Sequence, residues 1–259
     1  MYIAAGYKAY EQKSNFNLSK AVELAKNDGF DAFEINIVLN PVSYYHMFIK
    51  QLRQIKDMKF AVHSDYLDTN LASGNIGIRR ESVNQLREAI VFAKKIDAKV
   101  VIFHPGRYFK KIYEAEAYAT LFKSLEEVIP FAKKNRVRLA MENMEDAQKM
   151  MCVKLDDLKR ILYRYDDIFL AFDVAHAAKN FPEDYMNFYN TFKDKAIHFH
   201  MAGVQKRKSP EEVPLAQSEI DFSNFIKEIK ERDAILRLES STHQDLVNSL
   251  KFITRVMKE

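Results

Sequence analysis

The sequence is poor in residues that mark several structural classes. It has one cysteine, Cys152, no tryptophan, and only six glycines and six prolines among 259 residues. A single cysteine excludes a disulfide framework and any zinc motif built from several cysteines, and it favours a reducing compartment. The low content of glycine and proline predicts loops that are short or locally structured.

Long apolar runs and a strong net charge are lacking as well. No window approaches the roughly 20 apolar residues of a membrane span, and residues 1–8 lack the charged segment and apolar core of a signal peptide. The 40 Lys and Arg exceed the 36 Asp and Glu by a charge of +4 that is spread along the chain, which does not by itself indicate a nucleic-acid partner. We therefore expect a cytoplasmic protein with no membrane contact.

Short β-branched or aromatic runs alternate with longer amphipathic stretches along the whole chain. Helical stripes with apolar residues three and four apart lie within residues 78–96, 114–134 and 244–257. Eight strands, each followed by a helix, predict an α/β protein whose residues 1–259 form one domain, a single (β/α)8 TIM barrel. An open doubly wound sheet is the alternative. The strand candidates are residues 2–6, 32–39, 59–64, 99–104, 137–142, 168–173, 196–200 and 234–239.

Acids and a histidine end four successive strand candidates. Glu142, Asp173, His200 and Glu239 lie 31, 27 and 39 residues apart, about one strand–helix unit each, so they can converge at the carboxyl ends of the strands, where this fold carries its active site. A lone acid at a strand end is more often a helix cap, but four such groups without a cation would stay desolvated or repel each other. Three carboxylates and one imidazole predict a site for Mn²⁺, Mg²⁺ or Co²⁺, with Zn²⁺ as a further option.

Three more histidines lie near strand ends. His63 and His104 end strands three and four, and they either hold a second metal bridged through Glu142 or orient a substrate hydroxyl; the sequence leaves both open. His176 follows Asp173 by three residues, which suits contact with the substrate or support of the site better than binding of the main metal.

Strand alternation also predicts what lies beneath the metal. His198 and Arg237 precede the ligand candidates of strands seven and eight by two residues, so they share the inward face one layer deeper. A buried arginine needs a partner, and Glu34 or Asn36 on strand two could provide one across the barrel. The hypothesis is a charged layer that fixes the ligands from below.

Several segments, in order and over nearly the whole chain, resemble the xylose isomerase-like TIM barrels. That superfamily includes sugar (phosphate) isomerases and epimerases, inosose and dehydroshikimate dehydratases, and endonuclease IV. The segments are residues 62–73 (VHSDYLDTNLAS), 77–83 (GIRRESV), 103–106 (FHPG), 141–143 (MEN), 173–176 (DVAH), 198–201 (HFHM) and 238–239 (LE).

The resemblance implies a function for the four strand-end residues. It makes Glu142, Asp173, His200 and Glu239 the ligands of the central metal. In the ketose epimerases of this family the two ligand glutamates also move the proton, so Glu142 and Glu239 would be catalytic, one abstracting and the other returning a proton through a metal-stabilised enediolate. The expected activity is that of a metal-dependent isomerase or epimerase.

The substrate side of the resemblance is less complete. His176 matches a substrate-contacting histidine, and Lys206 stands where the epimerases carry a substrate-binding arginine. Lys206 and Arg207 belong to a basic cluster that could neutralise a phosphate or be a solvated loop. The Gly-rich segment usual after strand seven is replaced by residues 214–221, which contain no glycine. The expected partner is a small sugar or sugar phosphate, and a homo-oligomer stays open.

The same residues leave three alternatives. His63, His104 and His176, together with the four central ligands, match zinc ligands of endonuclease IV, but the Asp-x-His pair for its third zinc is missing because no histidine lies between His200 and His243. The modest net charge also argues against a nucleic-acid partner. A dehydratase would need only the loss of a β-hydroxyl after the same proton abstraction. A non-catalytic sugar-binding barrel has no reason to keep four costly ligands.

Overall fold

Eight parallel strands close into a barrel. The computed structural model describes residues 1–37, 42–147, 149–205, 213–240 and 242–259. Each strand pairs with the next, and β8 returns to pair with β1, so the predicted α/β (β/α)8 barrel is confirmed. The assignment of one domain to residues 1–259 stays a prediction. The strands are β1 (Tyr2–Gly6), β2 (Ala32–Asn36), β3 (Lys59–His63), β4 (Val100–Phe103), β5 (Arg138–Glu142), β6 (Ile168–Asp173), β7 (Ala196–Met201) and β8 (Ile235–Leu238).

The strand predictions differ from the structure mainly at strand ends. β1 and β6 have the predicted bounds, and β2 runs to Asn36, while residues 38 and 39 of the predicted strand lie outside the described residues. Asn36 is the last β2 residue that pairs with β3, opposite His63, and one further hydrogen bond runs from the Ile37 N–H to the His63 carbonyl at 2.9 Å. A strand lasts only as long as its neighbour offers backbone partners, which a single segment of sequence does not reveal.

Helices follow the strands and cover the outside of the barrel. The stripes predicted for α4, α5 and α10 are buried. The Asn75 side chain starts α4 by accepting from the Gly77 and Ile78 N–H groups at 2.9 and 3.3 Å, and Arg136 ends α5 in the left-handed conformation. The helices are α1 (Leu18–Asn27), α2 (Val42–His46), α3 (Ile49–Leu52), α4 (Ile76–Lys95), α5 (Glu114–Asn135), α6 (Leu155–Leu162), α7 (Val174–Asn180), α8 (Tyr185–Phe192), α9 (Ser223–Ile229) and α10 (His243–Lys258).

The chain has two apolar regions, one on each side of the sheet. The larger one lies between the strands and the surrounding helices. The smaller one includes Ala61, Val100, Ile102, Ala140 and Ala171 from four neighbouring strands, and it fills part of the barrel interior. Buried polar side chains come next along these strands toward their carboxyl ends. Among the described helices, none is long and apolar enough to cross a membrane.

Candidate active site

The four predicted metal ligands converge at the carboxyl ends of β5 to β8. Glu142 and Asp173 are the last residues of β5 and β6, His200 lies next to the end of β7, and Glu239 follows β8 directly. The Glu239 N–H still donates to the Met201 carbonyl at 2.9 Å, so backbone pairing with β7 fixes it as well. Four adjacent strands therefore deliver these side chains to one point without the help of a long loop.

A single ring nitrogen lies at the centre of the cluster. His200 Nδ1 is 3.4 Å from Glu142 Oε1 and 3.6 Å from Glu239 Oε1, and ligand atoms of Asp173, His200 and Glu239 all lie within 4.8 Å of one another. All four residues are buried or nearly so, since even the Glu239 side chain is only 14% exposed. These spacings suit separate ligands around one ion better than direct hydrogen bonds.

His200 can offer this nitrogen to a cation. Although burial opposes it, Glu34 and Glu142 raise the pKa of the ring well above its usual value, so a bound cation would take the place of a proton on Nδ1. His200 Nε2 lies 3.0 Å from Glu34 Oε2, and a carboxylate oxygen only accepts, so Nε2 carries the proton. Nδ1 is buried and has no hydrogen-bond partner within the described segments. A carboxylate that holds the far side of an imidazole is the usual support of a metal-binding histidine. The bare nitrogen and three carboxylates therefore fit a divalent cation.

Glu34 connects the layer beneath. Its Oε2 accepts from His198 Nε2 at 2.7 Å, and its Oε1 accepts from Arg237 Nη1 at 2.8 Å. Arg237 Nη1 also lies 2.7 Å from Glu239 Oε1, and the arginine side chain is 12% exposed. The pairing of Arg237 with a β2 residue was predicted, and the structure selects Glu34. Its simultaneous contact with both histidines of β7 was not foreseen.

His63 and His104 contact the other oxygen of Glu142. Their Nε2 atoms lie 3.1 and 3.0 Å from Glu142 Oε2. His63 Nδ1 is 2.9 Å from the Ser64 carbonyl, which can only accept, so in the neutral ring Nε2 is bare and faces a carboxylate oxygen. A second cation, or a proton on the ring, would relieve that contact. These contacts fit the predicted alternative of a second metal bridged through Glu142, and the alternative of a substrate hydroxyl stays open.

His176 belongs to the wall of the site. Its Nδ1 lies 3.0 Å from the Asn143 carbonyl, which fixes the proton on Nδ1, and its backbone N–H donates to Asp173 Oδ1 at 2.7 Å. This nitrogen is 3.4 Å from Asp173 Oδ2 and from Glu142 Oε1. Because Nδ1 is already committed as a donor, the free acceptor is Nε2, which suits the predicted contact with substrate.

Asn143 and Tyr66 are side chains of the site that the sequence analysis did not single out. Asn143 holds the end of β6, since its Oδ1 accepts from the Asp173 N–H at 2.9 Å and its Nδ2 donates to the Asp173 carbonyl at 2.8 Å. Tyr66 stacks on the His104 ring with centroids 4.8 Å apart. Their positions in the sequence could have indicated them, since Asn143 directly follows a predicted ligand and Tyr66 follows His63 by three residues in a strand-end loop.

The charges of the cluster shift the acidities of its members. Burial acts to raise the pKa of Glu142, but His200 and His104 outweigh it and hold that pKa well below the usual value. Burial also acts to raise the pKa of Glu239, but Arg237 and His200 outweigh it and lower that pKa. Burial raises the pKa of Asp173 to about 6, against the field of a nearby histidine. Glu142 and Glu239 are therefore carboxylates at neutral pH.

A cavity of about 200 Å³ opens over these groups. Lys8 and Asn36 line it from the β1 and β2 side, and Ser240 lines it after β8. Lys8 was not among the predicted residues. The predicted substrate contacts Lys206 and Arg207 lie outside the described residues. The other residues of its wall include His63, Tyr66, His104, Glu142, His176, Arg237 and Glu239.

The comparisons with known proteins agree with this architecture. Residues 22–256 match the family described as xylose isomerase-like TIM barrel, and the chain belongs to that family. The uncharacterized protein MJ1614 of Methanocaldococcus jannaschii is 30% identical over 211 residues, which cover 79% of this chain and 81% of that protein.

Relatives of two functional kinds share the barrel. A probable endonuclease 4 of Aquifex aeolicus is 27% identical over 172 residues, covering 62% of this chain and 60% of that protein. Among solved structures, a D-tagatose 3-epimerase-like protein has a TM-score of 0.86 at 22% identity, covering 100% of this chain and 97% of that one. At this identity the structural likeness supports the fold, and the function has to be argued from the site.

Proposed function

We propose that the protein is a divalent-metal-dependent isomerase or epimerase of a sugar or sugar phosphate. The observation that carries the proposal is the pair of carboxylates, Glu142 and Glu239, whose Oε1 atoms lie 3.4 and 3.6 Å from the same bare nitrogen of His200. Two carboxylates that approach one point can supply the two bases that the inversion of a carbon centre requires. A cytoplasmic location and a homo-oligomeric state remain predictions.

The residues of the site would serve two purposes, metal binding and proton transfer. A divalent cation held by Glu142, Asp173, His200 and Glu239 would polarise the substrate carbonyl. The lowered pKa values of Glu142 and Glu239 keep both ready to accept a proton at neutral pH. One glutamate would take the proton from the carbon beside the carbonyl. The other glutamate, protonated from solvent, would deliver that solvent proton to the opposite face, and the first would then release its own proton to solvent. His176 Nε2 is left to accept from a substrate hydroxyl.

The test is exchange of the substrate proton with solvent. The purified protein, loaded with Mn²⁺ in D₂O, is given a panel of ketoses and ketose phosphates, and NMR follows deuterium incorporation and epimer formation. Glu142→Gln and Glu239→Gln should each abolish turnover and weaken Mn²⁺ binding, because an amide neither takes the proton nor binds the ion as strongly. Glu23→Gln removes the same charge from the exposed face of α1 and should be active. Near-normal turnover in either site variant would overturn the mechanism.

The His63 and His104 contacts favour a second candidate, an endonuclease of the endonuclease IV type. Both imidazoles face Glu142 Oε2 at 3.1 and 3.0 Å, and with that carboxylate they could hold a second ion about one carboxylate width from the first. The relatives include a probable endonuclease 4. The proposed isomerase needs no second ion, so the metal content separates the two candidates.

Two measurements decide between these candidates. Metal analysis of the purified protein should find about one divalent ion per chain for the isomerase and two or three for the nuclease. An oligonucleotide duplex with one abasic site should stay intact when incubated with the metal-loaded protein. Cleavage that a chelator abolishes and that His104→Ala removes would instead establish the nuclease. Product analysis of any consumed sugar separates an epimer from a dehydrated product.

A further inference from the structure

A second and larger cavity lies at the opposite end of the barrel. Its volume is about 440 Å³, against about 200 Å³ at the carboxyl ends. Residues at the amino-terminal ends of β1, β3, β4, β5, β7 and β8 line it. Barrel interiors are normally filled by bulky branched side chains, whereas three of the interior positions here are alanines, Ala61, Ala140 and Ala171. A cavity of this size is within the range of small-molecule sites.

The rim of this cavity is rich in cations. Arg53, Lys59 and Arg138 line it, and none of the three forms an ion pair with any residue of the described ranges. Lys59 lies 5.4 Å from the centroid of the Tyr2 ring, which holds it at the mouth of the cavity. Lys99 also lines the rim, where it pairs with Asp97, and Asp233 is the other acid of the wall. The unpaired positive charges favour an anion at this end.

The wall deeper inside is apolar. Phe60 and Val100 are buried, and Ile197 and Ile235 are half-buried side chains that pack on the interior cluster. All four line the cavity. A ligand that reaches past the rim therefore needs an apolar body.

His198 forms the inner end of the cavity and has one nitrogen to spare. It lines the cavity and is fully buried. Its Nε2 donates to Glu34 Oε2 at 2.7 Å, which leaves Nδ1 as an acceptor, and Nδ1 has no hydrogen-bond partner within the described chain. Buried polar atoms without a partner are rare in folded proteins. A hydroxyl donor from a ligand would satisfy it.

We propose that this cavity binds a small amphipathic anion, a hydroxylated carboxylate or phosphate monoester with a short apolar chain. The anionic group lies at the rim near Lys59 and Arg138, the chain lies along the apolar wall, and the hydroxyl donates to His198 Nδ1. His198 is the third residue of β7, about 7 Å from the start of the strand, which a chain of about six carbons spans. This site is separate from the proposed reaction and needs no metal.

Calorimetric titration with three matched probes tests the proposal. The probes are 6-hydroxyhexanoate, 6-hydroxyhexyl phosphate and the neutral 1,6-hexanediol. At least one of the two anions should bind with a Kd about tenfold or more below that of the diol, because two exposed charge contacts together account for roughly this factor. The better anion identifies the headgroup. Equal affinities for anions and diol, or no heat from any probe at 20 mM, would overturn the proposal.

Variants locate the site. The double variant Lys59→Gln/Arg138→Gln should weaken the better anion about tenfold and leave the diol unchanged. Lys20→Gln/Lys251→Gln removes two exposed lysines of α1 and α10 that do not line the cavity and should change no affinity by more than twofold. Val100→Phe places a larger side chain in the apolar part of the cavity and should abolish binding of all three probes. If Val100→Phe fails to fold, the rim variant and its lysine control still test the proposal. Anion binding that survives the rim variant would also refute the assignment.

Discussion

The most demanding test of the layer beneath the site is Glu34→Gln. Glu34 is fully buried and accepts three hydrogen bonds, from His198, His200 and Arg237, at 2.7, 3.0 and 2.8 Å. Glutamine keeps the shape but replaces one acceptor oxygen by an NH₂ donor. Whichever way the amide turns, a donor then faces a donor, and the negative charge that balances Arg237 is lost.

Two magnitudes follow from this geometry. Breaking a buried ion pair by neutralising one partner destabilises a protein by about 3 to 5 kcal/mol, and since glutamine keeps one acceptor we expect about 3 kcal/mol. In a chain of this length that lowers Tm by roughly 6 to 12 °C. Loss of the carboxylate behind His200 also frees the ring that presents Nδ1, which should weaken metal binding about 10- to 100-fold.

The assays are urea unfolding and thermal melting of the metal-free protein, and calorimetric titration with Mn²⁺. Glu23→Gln, on the exposed face of α1, is the matched control and should leave both quantities unchanged. The reasoning fails if Glu34→Gln melts within 2 °C of the parent and binds Mn²⁺ within twofold of it. A variant that loses stability but keeps full metal affinity would show that Glu34 neutralises Arg237 without orienting His200.

Three further predictions concern the backbone around the site and the ion itself. Asn143→Leu leaves the backbone N–H of Asp173 without its acceptor and removes one donor to the Asp173 carbonyl, and denaturant unfolding should show a loss of roughly 1 to 3 kcal/mol; an unchanged midpoint would contradict the role given to this amide. Gly106→Ala should lower Tm by several degrees, because Gly106 has φ +113 and an added Cβ would overlap Asn70 Oδ1. Gly74→Ala, with nothing within 4 Å of the new atom, should be neutral, and equal effects of the two changes would count against this account. Removing a bound divalent ion with a chelator should lower Tm by roughly 5 to 10 °C if the ion is present at 100 times its Kd, and no shift would argue against a metal site.

The strands and the polar residues at their ends could be predicted from the sequence. The strands were found because parallel strands buried on both faces are continuous apolar runs, and Glu142, Asp173 and His200 were visible as polar residues that end those runs. Their mutual approach follows from the barrel topology alone, since consecutive strands are neighbours. Alternation along β7 and β8 placed His198 and Arg237 in the layer beneath for the same reason.

Contacts between residues on opposite sides of the barrel could not be predicted from the sequence. Glu34 lies 164 residues from His198 and 203 from Arg237 in the chain, and the strand pattern offered Glu34 and Asn36 alike as partners. The choice depends on the stagger and closure of the sheet, which no single segment encodes. The tautomers of His63, His176 and His200 likewise depend on which carbonyl or carboxylate each ring meets.

The sequence by itself thus determined the barrel, the order of its strands and the set of acids and histidines at their carboxyl ends, because these depend on local periodicity and chain order. The tertiary structure alone decided that Glu34 joins both β7 histidines to Arg237, and that His200 Nδ1 lies close to both Glu142 and Glu239. It also decided that a cavity is left at the amino-terminal end of the barrel, since space inside a barrel is the joint result of side chains from all eight strands.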